Sequence, residues 1–227
     1  MHPYVQSIYT LFEAHADPVA ATPMKRYMRD QFEYLGLKSP QIGALLKKHL
    51  EAYGLPPLAS LDDILRELWA LPEREFQYIA TSLLDRFEKQ LSAEFIDTLE
   101  YLLVTKSWWD TVDMLSAGVL GIHFKRFPVI RERTLLKWRR SDNFWLRRAT
   151  ILFQLGYKEE TDFPLLCEII RENLGSKEFF INKAIGWSLR QYTRVDPEAV
   201  RAFVAATPLA PLSAREALRW LEKHKAS

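Results

Sequence analysis

Cysteine is almost missing: Cys167 is the only one in 227 residues, which excludes an intrachain disulfide framework and makes a reducing cytoplasm the expected location. Histidine is scarce and scattered, at His2, His15, His49, His123 and His224, and no Cys/His cluster has zinc-ligand spacing. Neither a metal nor any other cofactor is expected. There are only eight glycines and no Asn-Gly or Asp-Gly pair, so β-hairpin signals are absent. No apolar run approaches the roughly 20 residues that span a bilayer. The opening stretch MHPYVQSIYTLFEAHADP also lacks a basic region followed by an apolar one, so no export and no membrane contact are expected. An excess of one charge is lacking too. With 31 lysines and arginines against 29 acids the formal charge is +2, and any case for a polyanionic partner must rest on where the bases sit.

What is present is hydrophobic periodicity. Apolar residues make up 48% of the chain and recur at threes and fours almost from end to end, which predicts an all-α protein in a single domain spanning 1–227. Prolines divide it into short helices at Thr22-Pro23, Ser39-Pro40, Pro56-Pro57, Leu71-Pro72, Phe127-Pro128, Phe163-Pro164, Asp196-Pro197 and Ala210-Pro211. The helices come in pairs: SAEFIDTLEYLLV with SWWDTVDMLSAGVLG, PVIRERTLLKWRR with SDNFWLRRATILFQLGY, TDFPLLCEIIREN with SKEFFINKAIGWSLRQYTR, and PEAVRAFVAA with SAREALRWLEKH. In each of the first three pairs the second helix opens with a small polar cap candidate and an aromatic doublet: Trp108-Trp109, Phe144-Trp145, Phe179-Phe180. The period is roughly 35 to 37 residues, which predicts an α-solenoid of HEAT-like repeats closed by the last, aromatic-poor pair.

One layer of helices in such a stack lines a concave face, and the second helices carry the informative residues. In SWWDTVDML, Trp109 precedes Asp113 by one turn, so an indole and a carboxylate share a face. In the third pair Phe180, Lys183, Trp187, Arg190 and Arg194 form one stripe of alternating aromatic and cationic side chains, while Arg148 follows Trp145. Near the N-terminus TPMKRYMRDQFEYLG predicts a helix with Thr22 as its cap and Pro23 as its first residue. It would offer Lys25, Arg26, Tyr27 and Arg29 around an apolar stripe of Met24, Met28, Phe32 and Leu35. Patterning alone leaves two readings open. Trp108, Trp138, Trp145 and Trp220 are expected to pack in the core, and Asp113 could simply pair with an arginine of the adjacent repeat. Alternatively, aromatics interleaved with bases suit a polyanion.

Four stretches, PMKRYMRDQFEYLG, SWWDTVD, SDNFWLRRATILFQL and KEFFINKAIGWSLRQY, together resemble the AlkD family of bacterial DNA alkylation repair glycosylases, with the likeness running from about residue 20 to about 205. The resemblance implies a solenoid that grips duplex DNA in its concave face. It also implies removal of cationic purines such as 3-methyladenine and 7-methylguanine without a base-flipping pocket, in base excision repair by a monomer. Residue by residue, Trp109, Asp113 and Trp187 match the family's catalytic positions, Arg148 its DNA-backbone contact, and Tyr27 an aromatic that touches DNA near the lesion. Lys183, Arg190 and Arg194 are assigned to DNA from the stripe alone. Gln41 and Ile42 stand where a more basic segment is expected.

Chemistry makes these residue types intelligible. Alkylation at N3 or N7 leaves a purine that departs as a neutral base, so no general acid is needed. What needs stabilising is the positive charge that develops on the deoxyribose, which a carboxylate and indole faces can provide. The reading from a different class is a noncatalytic HEAT-repeat scaffold for DNA or protein, which would tolerate Asp113→Asn.

Overall fold

The computed structural model describes residues 1–223 and is all-helical, with no β-strand among them; Glu33 and Glu73 form an isolated bridge. His224, which closes the last expected helix, lies outside the described residues. The chain divides into two compact units, Met1–Gln90 and Leu91–Ser227.

The first unit holds α1 (Pro3–Glu13), α2 (Pro18–Tyr27), α3 (Ser39–Tyr53), α4 (Leu61–Ala70) and α5 (Arg74–Asp85). In α4 the spacing of Leu61, Ile64, Leu65, Leu68 and Trp69 puts five wholly buried side chains on one stripe. Each contributes about 1.5–3 kcal/mol by leaving water. They pack with α1 and α5, whose Val5, Ile8, Phe12, Phe76 and Ile79 are equally buried.

The start of α2 departs from the sequence expectation. Its cap is Asp17, whose Oδ1 accepts from Val19 and Ala20 at 3.0 and 3.1 Å, and Pro18 takes the first position. An aspartate cap followed by proline satisfies the free N–H groups a turn earlier than Thr22-Pro23 could. Thr22 therefore lies inside the helix, where its hydroxyl donates to the Pro18 carbonyl, and so does Pro23. The helix stops at Tyr27, because Arg29 and Asp30 take left-handed backbone at φ 57° and 55°, so the expected stripe from Met24 to Leu35 is not one helical face. Gln41 and Ile42 have structural tasks here: the Gln41 side chain accepts from the Lys38 N–H at 2.9 Å to cap α3, and Ile42 is in the core.

The second unit contains α6 (Ile96–Val104), α7 (Trp109–Leu115), a π-helical stretch (Ser116–Leu120), α8 (Gly121–Arg126), α9 (Pro128–Trp138), α10 (Phe144–Leu152), α11 (Phe163–Glu172), α12 (Phe179–Tyr192), α13 (Pro197–Ala206) and α14 (Pro211–Lys223). These are the expected pairs in the expected order, with SWWDTVDMLSAGVLG broken at Gly118 into α7, the π stretch and α8. Helix α10 packs on α7 and α12 as well as on α6, α9 and α11, and α12 packs on α10, α13 and α14. Successive repeats are thus stacked, with α7, α10, α12 and α14 side by side as one layer. Helices α12 and α14 approach each other closely. A Cβ at Gly186 would lie 2.5 Å from the Glu216 Cβ and 2.9 Å from the Ser213 carbonyl oxygen, so only glycine fits at this mid-helix position. Trp138 and Trp145 are buried as expected, whereas Trp108 and Trp220 are half-buried.

Candidate functional site

The layer formed by α7, α10 and α12 carries most of the residues singled out by the sequence. Of these helices only α10 is capped by a small polar residue, Asn143; α7 and α12 are not. The caps are Trp108 for α7, Asn143 for α10 and Glu178 for α12. Serines lie just upstream and brace the approach: Ser141 Oγ accepts from the Asn143 N–H at 3.1 Å, Ser176 Oγ from the Glu178 N–H at 3.2 Å, and Ser107 Oγ donates to the Leu103 carbonyl. Asn143 then caps α10 itself, accepting from Trp145 N–H at 2.9 Å.

The aromatic doublets meet across repeats. Trp108, Trp145 and Phe180 form a mutually packed trio with ring centroids 5.9, 5.0 and 5.3 Å apart, extended by Phe144 and Phe179. Tilted and edge-on pairs of this kind add about 0.5–1.5 kcal/mol each beyond their buried area. This cluster fixes the N-terminal ends of α7, α10 and α12 against one another. It thereby sets where the next turn of each helix points.

On α7 that next turn carries Asp113, on the face it shares with the half-buried Trp109. Both carboxylate oxygens accept from Arg148 of α10, Oδ1 from Nε at 2.7 Å and Oδ2 from Nη2 at 2.8 Å. Nη1 of Arg148 donates to the Phe180 carbonyl in the first turn of α12. A carboxylate, a guanidinium and a backbone carbonyl thus tie three consecutive repeats together. Burial pushes the Asp113 carboxyl above the usual aspartate range, and the hydrogen bonds and charge of Arg148 oppose that rise.

Arg148 is expected from the sequence at the DNA backbone, but its side chain is only 3% exposed and each guanidinium nitrogen donates into the protein. What it holds is Asp113, whose side chain remains 14% exposed. The pairing of Asp113 with an arginine of the adjacent repeat, one of the two readings the sequence left open, is therefore present. It leaves the Asp113 side chain partly open to solvent rather than sealed in.

Along α12 the stripe sorts itself by direction. With about 100° per residue, Phe180, Trp187, Lys183 and Arg190 span about 80° in that angular order, whereas Arg194 lies past the end of α12 at Tyr192, so the expected stripe does not reach it as one helical face. Phe180 at one edge packs toward α7 and α10. Lys183 and Arg190 at the other edge reach α14, where Glu216 accepts from them at 2.9 and 2.5 Å. Between them Trp187 is half-buried; Arg194, in the turn after the helix, is exposed.

Glu216, which the sequence reading did not single out, is only 7% exposed, and its carboxyl is held below the usual glutamate range, first by the Lys183 hydrogen bond and then by the charges of Lys183, Arg190 and Arg219. Its spacing from Lys183, close to the repeat period, was the available signal.

Tyr27 belongs to the first unit, at the C-terminal end of α2, and is 74% exposed. The loop that follows it is anchored from α5. Glu75, wholly buried, accepts from the N–H groups of Leu35, Gly36 and Leu37 at 3.0, 2.9 and 3.0 Å, and the Arg74 guanidinium lies 3.8 Å over the Phe32 ring. Among the described residues no group of three or more His, Cys, Asp or Glu side chains could hold a metal ion. No helix among them is long and apolar enough to cross a membrane.

Comparison with other proteins gives this arrangement a context. The sequence pattern of a family described as "DNA alkylation repair enzyme" matches residues 8–221. A solved structure described as a predicted DNA alkylation repair enzyme from Enterococcus faecalis superposes with a TM-score of 0.84 at 32% identity, covering 92% of this chain and 97% of that one. No curated protein matches.

Proposed function

Because the chain belongs to the family of DNA alkylation repair enzymes, we propose that it is a glycosylase acting on cationic N3- or N7-alkylated purines in duplex DNA, 3-methyladenine and 7-methylguanine among them. The observation that carries the reading is the Asp113 carboxylate, oriented by two donors of Arg148 on a side chain that stays partly exposed, on the same helical face as Trp109.

In this reaction the C1′–N9 bond breaks with its electron pair passing to the alkylated base, which leaves neutral, and the deoxyribose becomes an oxocarbenium-like cation. The Asp113 carboxylate faces that cation and stabilises it, a fixed charge in a partly desolvated setting being worth far more than the same charge in water. Water then adds to C1′, and its proton passes to Asp113 or to solvent. A carboxyl lifted above the usual aspartate range by burial is a better acceptor for that proton than a free one. Trp109 and Trp187 supply indole faces to the sugar, at about 0.5–2 kcal/mol each. Arg148 acts through Asp113 as a positioning residue, a reading supported by its burial and by its two bonds to the carboxylate. Within the second unit Lys183, Arg190 and Arg194 contact the duplex, with its layer of second helices as the binding face; in the first unit Tyr27 is the residue offered to DNA.

The test is release of 7-methylguanine from methylated duplex by the wild type and by Asp113→Asn, with binding measured at the same salt. Release should fall about 10²- to 10³-fold in the variant, the size of losing one preorganised electrostatic contact to a transition state. The mutual satisfaction of Asp113 and Arg148 favours a second reading, a purely structural pair in a noncatalytic scaffold. That reading requires wild-type protein that binds duplex and releases no base.

A further inference from the structure

Glu216 is out of place by the ordinary logic of a surface that binds phosphates. It is an acid, 7% exposed, lodged against the two cations at one edge of the α12 stripe, with Lys183 on one carboxylate oxygen at 2.9 Å and Arg190 on the other at 2.5 Å, while the more exposed Arg219 of α14 itself stands 3.8 Å from the first. The fold makes room for it at a cost. Gly186, next to Trp187 and between Lys183 and Arg190 along the helix, is the residue whose missing Cβ lets the Glu216 stem approach, and glycine in a helix interior costs about 1 kcal/mol relative to alanine. Both cations remain partly in solvent, Lys183 at 37% and Arg190 at 28% exposure, so each can still reach a phosphate.

We propose that Glu216 sets how tightly the α12 stripe holds undamaged duplex, by offsetting one unit of the positive charge of Lys183 and Arg190 while fixing both side chains in place. The inference rests on the glycosylase reading above and deepens it. A repair enzyme meets undamaged DNA in vast excess over lesions, and a groove whose cations act at full strength would stay on it. With Glu216 present the two cations count as about one phosphate contact in counterion release, and without it as about two. Helix α14 is then part of the DNA-facing machinery as well as the terminal cover of the stack.

The experiment is binding of undamaged duplex to the full chain across a range of salt, for the wild type, Glu216→Gln and Glu216→Gln/Lys183→Gln. One added phosphate contact, at a slope of about −0.9 per decade of salt, tightens binding about eightfold at 0.1 M salt. Glu216→Gln should therefore bind about eightfold tighter with a slope steeper by about 0.9, and the double variant, its charge balance restored, should return to the wild-type slope. A structural role alone would leave the slope unmoved. If wild-type protein does not bind duplex, the glycosylase reading falls. If it binds and Glu216→Gln matches it in affinity and slope, the role of Glu216 alone falls. Should Glu216→Gln fail to fold, Lys183→Gln decides: binding weaker by a similar factor supports the proposal, and unchanged binding overturns it.

Discussion

Glu75 in the first unit and Asp113 in the second are both acids withdrawn from water, and in both burial pushes the carboxyl above its usual range. They are satisfied by different means. Glu75 has no exposure and gives its oxygens to three successive backbone N–H groups of one loop, so it is locked into holding Leu35 to Leu37. Asp113 gives each oxygen one bond from a guanidinium and keeps part of its surface open to solvent. Backbone donors carry partial charges and can hold a fully buried carboxylate only by consuming it. A guanidinium carries a whole charge along one edge of the carboxylate and leaves the other available. Burial of an acid therefore does not by itself mark a site; what satisfies the acid, and which edge remains, distinguishes the two.

The largest expected effect breaks the comparison at Asp113. Arg148→Met removes the partner and leaves a mostly buried carboxylate uncompensated, which should cost about 3–5 kcal/mol of stability at neutral pH in denaturant unfolding. The pH dependence identifies the source. With the guanidinium gone, nothing opposes burial, so the folded-state value of Asp113 climbs further above its unfolded value. A raised carboxyl binds protons more readily in the folded state, so the variant's deficit should narrow as pH falls through that raised value toward the unfolded one. A deficit that stays constant with pH would place the loss in packing rather than in the stranded charge. Activity should follow the same sign: the acid limb of base release lies above the usual aspartate range in the wild type and moves higher in any Arg148→Met protein that folds.

Glu75→Gln tests the other side. The amide can accept through one oxygen only, and its NH₂ would face N–H groups that now have no acceptor. A loss of about 1.5–3 kcal/mol is expected, the range for hydrogen bonds to a charged group. Because Glu75 lies above its unfolded value, the wild type carries a component of stability that grows as pH falls through the folded value, and Glu75→Gln should lack it. If the two proteins show identical pH dependence, the Glu75 carboxyl titrates alike in the folded and unfolded chains and the comparison with Asp113 fails.

How much of this was legible beforehand follows from what the repeat period does. The pairs α6 to α14 were readable because each helix buries one stripe, and the period also fixes which residues meet: Asp113 and Arg148 are 35 apart, Lys125 and Glu160 35, Glu100 and Lys137 37. An acid and a base separated by one period are candidates for an inter-repeat bond, a signal that was available for Arg148 before its burial was seen. The conflict at Arg148 arose because a sequence shows that an arginine is near a groove but not which way its fork turns. The first unit was less legible. Its loop from Met28 to Lys38 depends on left-handed Arg29 and Asp30, on Gly36 at φ 92° and on a carboxylate some 40 positions away, none of which follows a period. The boundary at Thr22-Pro23 was misplaced for a local reason, since Asp17-Pro18 is the stronger start.

The smallest effect compares the two units cap for cap. Asn143 caps α10 through Trp145 N–H, and Asp17 caps α2 through Val19 and Ala20 N–H. Replacing either by alanine removes the acceptor for a free first-turn donor, so Asn143→Ala and Asp17→Ala should each cost about 1 kcal/mol in unfolding. Their consequences for function should differ. Asn143 lies at the start of the helix that carries Arg148, within the aromatic cluster that sets the direction of that helix, so fraying there loosens the clamp on Asp113. Asp17 acts at the far end of α2 from Tyr27, and fraying of the first turn leaves the last one in place. Base release at a temperature where both variants are folded should therefore fall more in Asn143→Ala than in Asp17→Ala at equal loss of stability. Equal falls would mean that activity simply tracks global stability and that the first turn of α10 has no special hold on the Asp113 carboxylate.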